Sequence, residues 1–167
     1  MRSGEFPLKI IRRGMTNWCK CEVRIAGQIV RVWEFLGFAK GHFGGAASVF
    51  DFNRFVPGPR ISAYSTRSDS WHFDNWGTKS NAVGATYRDF VACESELTAV
   101  VLFETAWTEP RPIIVRASEL FSDLRFELHY FEPLGDFAGF FRCADGVVSD
   151  DNRWACVRTY GSNGVTP

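Results

Sequence analysis

The sequence predicts an α+β fold, with a mainly antiparallel sheet and two helices on one face. Twice along the 167 residues, the spacing of apolar side chains changes from a period of two to a period of 3.6 and back. Glycine, proline and asparagine separate these segments, as turns do. The chain length suits a single domain. These observations together predict two strand–helix–strand units that share one core.

The first unit contains a strand, a helix and a second strand. Residues 19–25 alternate apolar and polar side chains, so one face of this strand should be buried. Residues 28–40 are apolar at helical spacing, and the glycines that follow end the helix. The apolar run at residues 49–56 reads as the second strand because it stops at Pro57-Gly58-Pro59.

A polar stretch at residues 61–85 is predicted to be a long functional loop or to hold a short helix. The second unit and its extensions follow: strands at 86–93 and 97–106, a helix at 112–122, and strands at 124–131, 137–144 and 154–160. Asp145-Gly146 is a hairpin signal between the last two strands. Two split β-α-β units make a ferredoxin-like sandwich, here with extra C-terminal hairpin strands.

Composition limits the class of protein. We expect one domain over residues 15–160, a peripheral leader or cloning remnant at 1–14, and a flexible tail at 161–167. The formal net charge is zero, which argues against nucleic acid and membrane partners. No apolar run reaches the roughly 18 residues of a membrane span. Five cysteines without framework or metal spacing predict a cytoplasmic protein with no metal and no other cofactor.

Three tryptophan-centred blocks set in polar residues are the most informative feature: Asn17-Trp18-Cys19, residues 75–79, and Thr105-Ala106-Trp107. Large indoles are costly to leave scattered over a surface, so we expect the three to form one cluster with polar residues at its rim. The cluster would stack a small planar ligand, hold a peptide, or be a structural plug. The predicted ligand-binding residues are Trp18, Asn75, Trp76, Lys79, Thr105 and Trp107.

Five blocks lie in order along the chain: Met15-Thr16-Asn17-Trp18-Cys19, Phe50-Asp51-Phe52-Asn53, residues 75–79, residues 105–107, and Phe137-Ala138-Gly139. They resemble the signature blocks of the YubB-like family, uncharacterised proteins of phages, plasmids and other mobile elements that have a ferredoxin-like domain. The chain departs from the family at Thr16, where proline is usual, and at Ser80, where a bulky residue is usual. The resemblance implies the fold and a mobile-element origin, and it implies no reaction.

The sequence therefore predicts a non-enzymatic binding or interaction module, an accessory protein of a mobile element. The 16 phenylalanines and six tryptophans, together with an uneven spread of charge, predict a homodimer or higher oligomer. One alternative is single-stranded nucleic-acid binding on an aromatic sheet face, which the neutral charge opposes. Another is a small-molecule enzyme with an acid–base site at His72 with Asp74, or at Glu104 near Trp107. The sequence contains no serine-elbow, zinc-protease or phosphate-loop motif.

Overall fold

The described part of the chain contains one six-stranded sheet, one two-stranded ribbon and three α-helices. A computed structural model describes residues 17–43, 45–59, 66–133 and 137–156. In chain order the elements are β1 (Trp18–Gln28), α1 (Ile29–Ala39), β2 (Gly41–Phe43), β3 (Ala46–Ser48), α2 (Thr66–Trp76), β4 (Val83–Cys93), β5 (Glu96–Ala106), α3 (Arg111–Leu120), β6 (Arg125–Glu132), β7 (Phe137–Ala144) and β8 (Val147–Ala155).

The large sheet has the strand order β4-β5-β1-β6-β7-β8, and each pair of neighbours is antiparallel. Strands β2 and β3 form a separate two-stranded ribbon. The succession β1-α1-β4-β5-α3-β6, with β1 beside both β5 and β6, is the ferredoxin-like arrangement. Strands β7 and β8 extend the sheet beyond β6 as a hairpin. The predicted fold class is confirmed.

Both α1 and α3 cover the same face of the sheet, as predicted. The alternation in β1 buries Cys21, Val23 and Ile25, together with their neighbours on β5 and β6. Phe35 of α1 meets Phe126 of β6 edge-to-face, with ring centroids 5.2 Å apart. The thiol of Cys143, which pairs with Phe126 across the sheet, donates to the Ile114 carbonyl of α3 at 3.8 Å.

The segment predicted as the second strand, residues 49–56, is not a strand. It contains a 3-10 turn at Phe52–Arg54, capped by the side chain of Asp51, which accepts from the Asn53 N–H at 3.0 Å. A carboxylate that bonds its own nearby backbone competes with a strand ladder. The positions beside β1 are taken by β5 and β6. The phenylalanines of this segment instead pack into the core, where the ring centroids of Phe50 and Phe103 are 5.3 Å apart.

The structure settles several element boundaries. The polar stretch at 61–85 contains α2, while residues 61–65 lie outside the described part. The last strand begins at Val147, before the predicted residue 154, and residues 157–160 are not described. The predicted leader at 1–14 and tail at 161–167 also lie outside the described residues. None of the described helices is both long enough and apolar enough to span a membrane.

Candidate functional site

Trp76 lies in the interior, at the end of α2. Only 4% of its surface is exposed, and its indole N–H donates to the Val56 carbonyl oxygen at 2.9 Å. The His72 ring stacks on the indole with centroids 4.3 Å apart, and Phe52 meets it edge-on. The indole N–H is therefore hydrogen-bonded, and two aromatic rings pack against the indole. Because Phe52 belongs to the 3-10 turn, the Trp76 side chain joins α2 to that turn.

Trp18 and Trp107 are both exposed, and their backbones are adjacent at one end of the sheet. Trp18 is opposite Ala106 in the β1–β5 ladder, and the Trp107 N–H donates to the Asn17 carbonyl at 2.8 Å. Their exposed fractions are 37% and 45%. The Lys79 ammonium lies over the rings of Trp107 and Phe73, 5.6 and 5.5 Å from their centroids. Trp18, Phe73, Lys79 and Trp107 are called the tryptophan end below.

The backbone of Trp107 is in the left-handed region, with φ of +78°. A bulky residue there costs on the order of 1–3 kcal/mol, and the surrounding structure must hold it in place. Residues 78–80 hold the backbone of Trp107 in place through hydrogen bonds to the backbone of Ala106. The Thr78 hydroxyl donates to the Ala106 carbonyl at 2.6 Å, and the Ala106 N–H donates to the Ser80 hydroxyl at 2.9 Å. The indole of Trp107 is thus displayed at the surface by a strained backbone.

The other predicted binding residues have internal partners. Thr105 is fully buried, and its hydroxyl donates to the Thr108 carbonyl at 2.8 Å. Asn75 is half-buried, and its amide donates to the Trp71 carbonyl within α2 at 2.9 Å. Of the six residues, the structure places Trp18, Lys79 and Trp107 at the same end of the sheet, with Lys79 over the Trp107 ring. It places Trp76 and Thr105 in the interior and Asn75 on α2.

Asn81, which follows the second tryptophan block, is also structural. It is buried, and its amide donates to the Asp51 carboxylate at 2.7 Å. Its carbonyl oxygen accepts from the backbone N–H groups of Phe52 and Ala82. Several polar side chains in and next to these sequence blocks therefore hold loops against the core through hydrogen bonds.

The sheet has a second surface, the aromatic face of the nucleic-acid alternative, and it contains a groove that the sequence analysis did not predict. The face opposite α1 and α3, which carries Lys20, Glu22 and Arg24 of β1, is called the open face below. It contains a groove of about 550 Å³ whose lining includes Lys20, Leu102, Glu104, Phe131 and Trp154. The exposed fractions of Phe131 and Trp154 are 43% and 48%. The sequence contains a signal for this groove, because strands β6 and β8 each carry an aromatic residue at a position that faces solvent.

Charges cross the middle of the open face as a connected network. Glu22 pairs with Arg88 and Arg24, and Glu127 pairs with Arg24 and Arg142. Burial by itself raises the pKa of Glu127, but hydrogen bonds from His129 and Arg142 outweigh it and hold that pKa below its usual value. With Asp150 paired to Arg142, the network holds three arginines and three carboxylates. It therefore presents no excess positive charge to a phosphate backbone.

The two predicted acid–base sites differ in their surroundings. His72 and Asp74 are two positions apart in α2, so they point in different directions and Asp74 does not orient the imidazole. Glu104 lines the groove of the open face, where it is opposite Lys20 in the β1–β5 ladder. Within the described residues, no group of three or more His, Cys, Asp or Glu side chains is placed to hold a metal ion.

Comparison with known proteins identifies relatives of part of the chain. Residues 88–165 match the family model described as the ferredoxin-like domain in Api92-like protein. This match includes β8, which lies beyond the last of the five YubB-like blocks. The relatives carry the Api92-like name, not the YubB-like name, and neither description names a reaction or a ligand. A comparison with curated proteins finds no match.

A solved structure extends the similarity to most of the chain. The crystal structure of protein Api92 from Yersinia pseudotuberculosis superposes with a TM-score of 0.64 and covers 87% of this chain and 100% of its own. The sequence identity is 9%, so this similarity concerns the fold alone. Residues 88–165 are thus similar to the ferredoxin-like domain of Api92-like proteins, and most of the chain has a fold similar to that of Api92.

Proposed function

We propose that this protein is a non-enzymatic binding module that recognises its ligand at the tryptophan end. The YubB-like sequence blocks favour an accessory role in a mobile element. Trp107 is the observation that carries the proposal, because a large indole is exposed there on a left-handed backbone. Such strain is costly to folding and is typical of sites where one side chain must be displayed.

The ligand class follows from the side chains at this end. Trp18 and Trp107 offer apolar ring surface, and Lys79 adds a cation between the rings of Trp107 and Phe73. A planar apolar group would stack on the indoles, and a nearby carboxylate would be attracted to the ammonium. An aromatic residue at the carboxyl terminus of a partner peptide has both features. We therefore propose a peptide ligand of this kind.

Single-stranded nucleic acid is the competing ligand. The open face next to the tryptophan end carries exposed aromatic side chains, on which unpaired bases stack in other proteins. Its arginines, however, are paired with carboxylates, and the chain has no net charge. Binding of a polyanion gains most of its free energy from unpaired cations. The charge pattern therefore favours the peptide.

An NMR titration with N-acetyl-phenylalanine and its amide tests the proposal through the indole N–H signals. We expect the acid to shift the signals of Trp18 and Trp107 at millimolar concentration. The amide should bind about threefold more weakly, since an exposed ion pair contributes up to about 1 kcal/mol. Trp107→Ala should abolish the shifts. Trp33→Ala, which removes an indole of similar exposure on α1, should leave them unchanged.

Three results would contradict the proposal. Equal binding of acid and amide by the wild type would remove the role of Lys79. Shifts that persist in Trp107→Ala would place the ligand elsewhere. A 20-nucleotide oligothymidylate that binds more tightly than the acid, with a steep salt dependence, would support nucleic-acid binding instead.

A further inference from the structure

We propose that the open face is the interface of a symmetric homodimer, with the two-fold axis running along the strands between β1 and β6. This inference is independent of ligand binding at the tryptophan end, because none of the residues that carry it belongs to that end. A second copy of the chain is the occupant because the pattern of side chains on this face is self-complementary.

The strand order gives the symmetry. Three strands lie on each side of the boundary between β1 and β6. Rotation by 180° about an axis above this boundary and parallel to the strands stacks the open face of one copy on the open face of the other. Each residue keeps its position along the strand direction, and residues at the same position along that direction are called level below. The rotation places β1 over the partner's β6, β5 over the partner's β7, and β4 over the partner's β8. The contacts can then be derived from the register across the sheet.

The pairs beside the axis are complementary at three successive levels. Lys20 is level with Phe131, Glu22 with His129, and Arg24 with Glu127. In the dimer, Lys20 would lie over the partner's Phe131 as a cation–π pair. Glu22 would meet the partner's His129, and Arg24 would meet the partner's Glu127. An isologous interface repeats each of these pairs on the other side of the axis.

Apolar pairs flank the axis. Leu102 of β5 is level with Phe140 of β7, so each leucine would contact the partner's Phe140. Val83 of β4 is level with Trp154 of β8, which places the partner's Trp154 over the groove. That indole is 48% exposed in the single chain. Its burial in the groove would remove an apolar surface from water in both subunits.

The least favourable pair lies at the rim. Asp89 of β4 is level with Asp150 of β8, so two carboxylates approach each other at the outer strands. Asp150 is already paired with Arg142 at 3.2 Å. Charges exposed at a rim contribute little to affinity, so this pair reduces complementarity only slightly.

The face has the area that a stable dimer needs. Six strands about 4.8 Å apart, each with roughly eight residues at about 3.3 Å, cover on the order of 700 Å². A standard interface buries about 800 Å² per partner. The balance of arginines and carboxylates on this face fits a copy of itself better than a partner with one sign of charge.

Sedimentation with two charge-reversal variants tests the dimer. At about 50 μM the wild type should have twice the 18.9 kDa mass of the chain. Arg24→Glu and Glu127→Arg should each be monomeric, because each variant alone places like charges beside the axis. An equal mixture of the two should be dimeric, because the opposite charges then meet between the chains.

The mixture separates contacts between chains from contacts within one chain. Arg24 and Glu127 also approach within 3.7 Å in the same chain, and both variants lose that pair. Recovery on mixing can therefore arise only between subunits. Arg116→Glu, a charge reversal on α3, should remain dimeric. Circular dichroism should show that every variant is folded.

A monomeric wild type, variants that remain dimeric, or a folded mixture that stays monomeric would each overturn the proposal. If a charge reversal prevents folding, Trp154→Ala provides the test. Loss of this indole should weaken the dimer at least about tenfold, because tryptophan is among the residues whose truncation weakens interfaces most and the symmetry removes it from both subunits. An unchanged dimer in Trp154→Ala would then overturn the proposed interface.

Discussion

The Trp76 indole donates a hydrogen bond to the carbonyl oxygen of Val56, 20 residues earlier in the chain. This bond, with the edge-on contact between the indole and Phe52, connects α2 to the turn that follows β3. The most conspicuous tryptophan block of the sequence therefore builds the core. The block at Trp107 presents its indole to solvent instead.

Trp76→Ala should lower the free energy of unfolding by about 3–5 kcal/mol, because it removes a buried aromatic side chain and leaves a cavity. Urea denaturation followed by circular dichroism measures the change. Trp33→Ala is the matched control, since Trp33 is 52% exposed and stacks on Phe90. It should cost under about 1.5 kcal/mol. Similar losses in the two variants would mean that Trp76 is not a core residue.

Gly77→Ala should destabilise the protein by about 1–3 kcal/mol. Gly77 has a φ of +77°, and a Cβ atom would lie 2.7 Å from the Cδ of Pro112, which belongs to a rigid ring. Gly37→Ala on α1 should have the opposite sign. A Cβ atom there meets nothing within 4 Å, and alanine in a helix is favoured by about 0.5–1 kcal/mol. Thermal unfolding of both variants checks the pair, and a Gly77→Ala protein as stable as wild type would contradict the strained turn.

Trp107→Gly should leave stability unchanged or raise it by up to about 1 kcal/mol, because glycine adopts a positive φ without strain. The loss of the contact between Lys79 and the indole offsets part of this gain. Trp107→Ala removes the same contact without relieving the backbone, so it should be less stable than Trp107→Gly. Chemical denaturation distinguishes the two. A large loss of stability in Trp107→Gly would show that the indole is displayed for folding and not for binding.

Stability at acid pH should depend in part on Asp151. Two hydrogen bonds from the Arg111 guanidinium, at 2.8 and 2.9 Å, hold the pKa of the Asp151 carboxyl below its usual value. A carboxyl whose pKa is lower in the folded state stabilises the fold above its unfolded pKa of about 3.9. That contribution is lost as the pH falls through the folded pKa.

Urea denaturation between neutral pH and about pH 2.5 measures this contribution, which should be under about 1 kcal/mol because the pair is partly exposed. Asp151→Asn should be less stable than wild type at neutral pH, and the difference should shrink as the solution is acidified. A difference that is constant with pH would show that the carboxylate charge has no part in stability.

The strands and helices that the sequence predicted share one property, which is a hydrophobic period that extends over most of the element. The alternation in β1 and the apolar stripes of α1 and α3 reappear in the structure as buried faces. The failure at residues 49–56 has a local cause. An apolar run without a clear period fits a strand or a core segment equally well, and the Asp51 cap decided between them.

The candidate site divides in the same way. The sequence identified Trp18, Lys79 and Trp107, because indoles in polar surroundings are rare. It did not distinguish them from Trp76 and Thr105, since burial depends on which loop covers each side chain. The groove of the open face was also missed. Its residues come from distant strands, and only the pairing of those strands brings Lys20, Glu104 and Trp154 together.

The sequence by itself determined the layers of this protein, because period two and period 3.6 specify which side of each element is buried. The tertiary structure alone decided how these layers are used. It placed β1 at the centre of the sheet and turned one tryptophan inward and another outward. It also aligned the solvent-side residues of six strands into rows. Such long-range arrangements depend on the free energy of the whole core, which no local pattern contains.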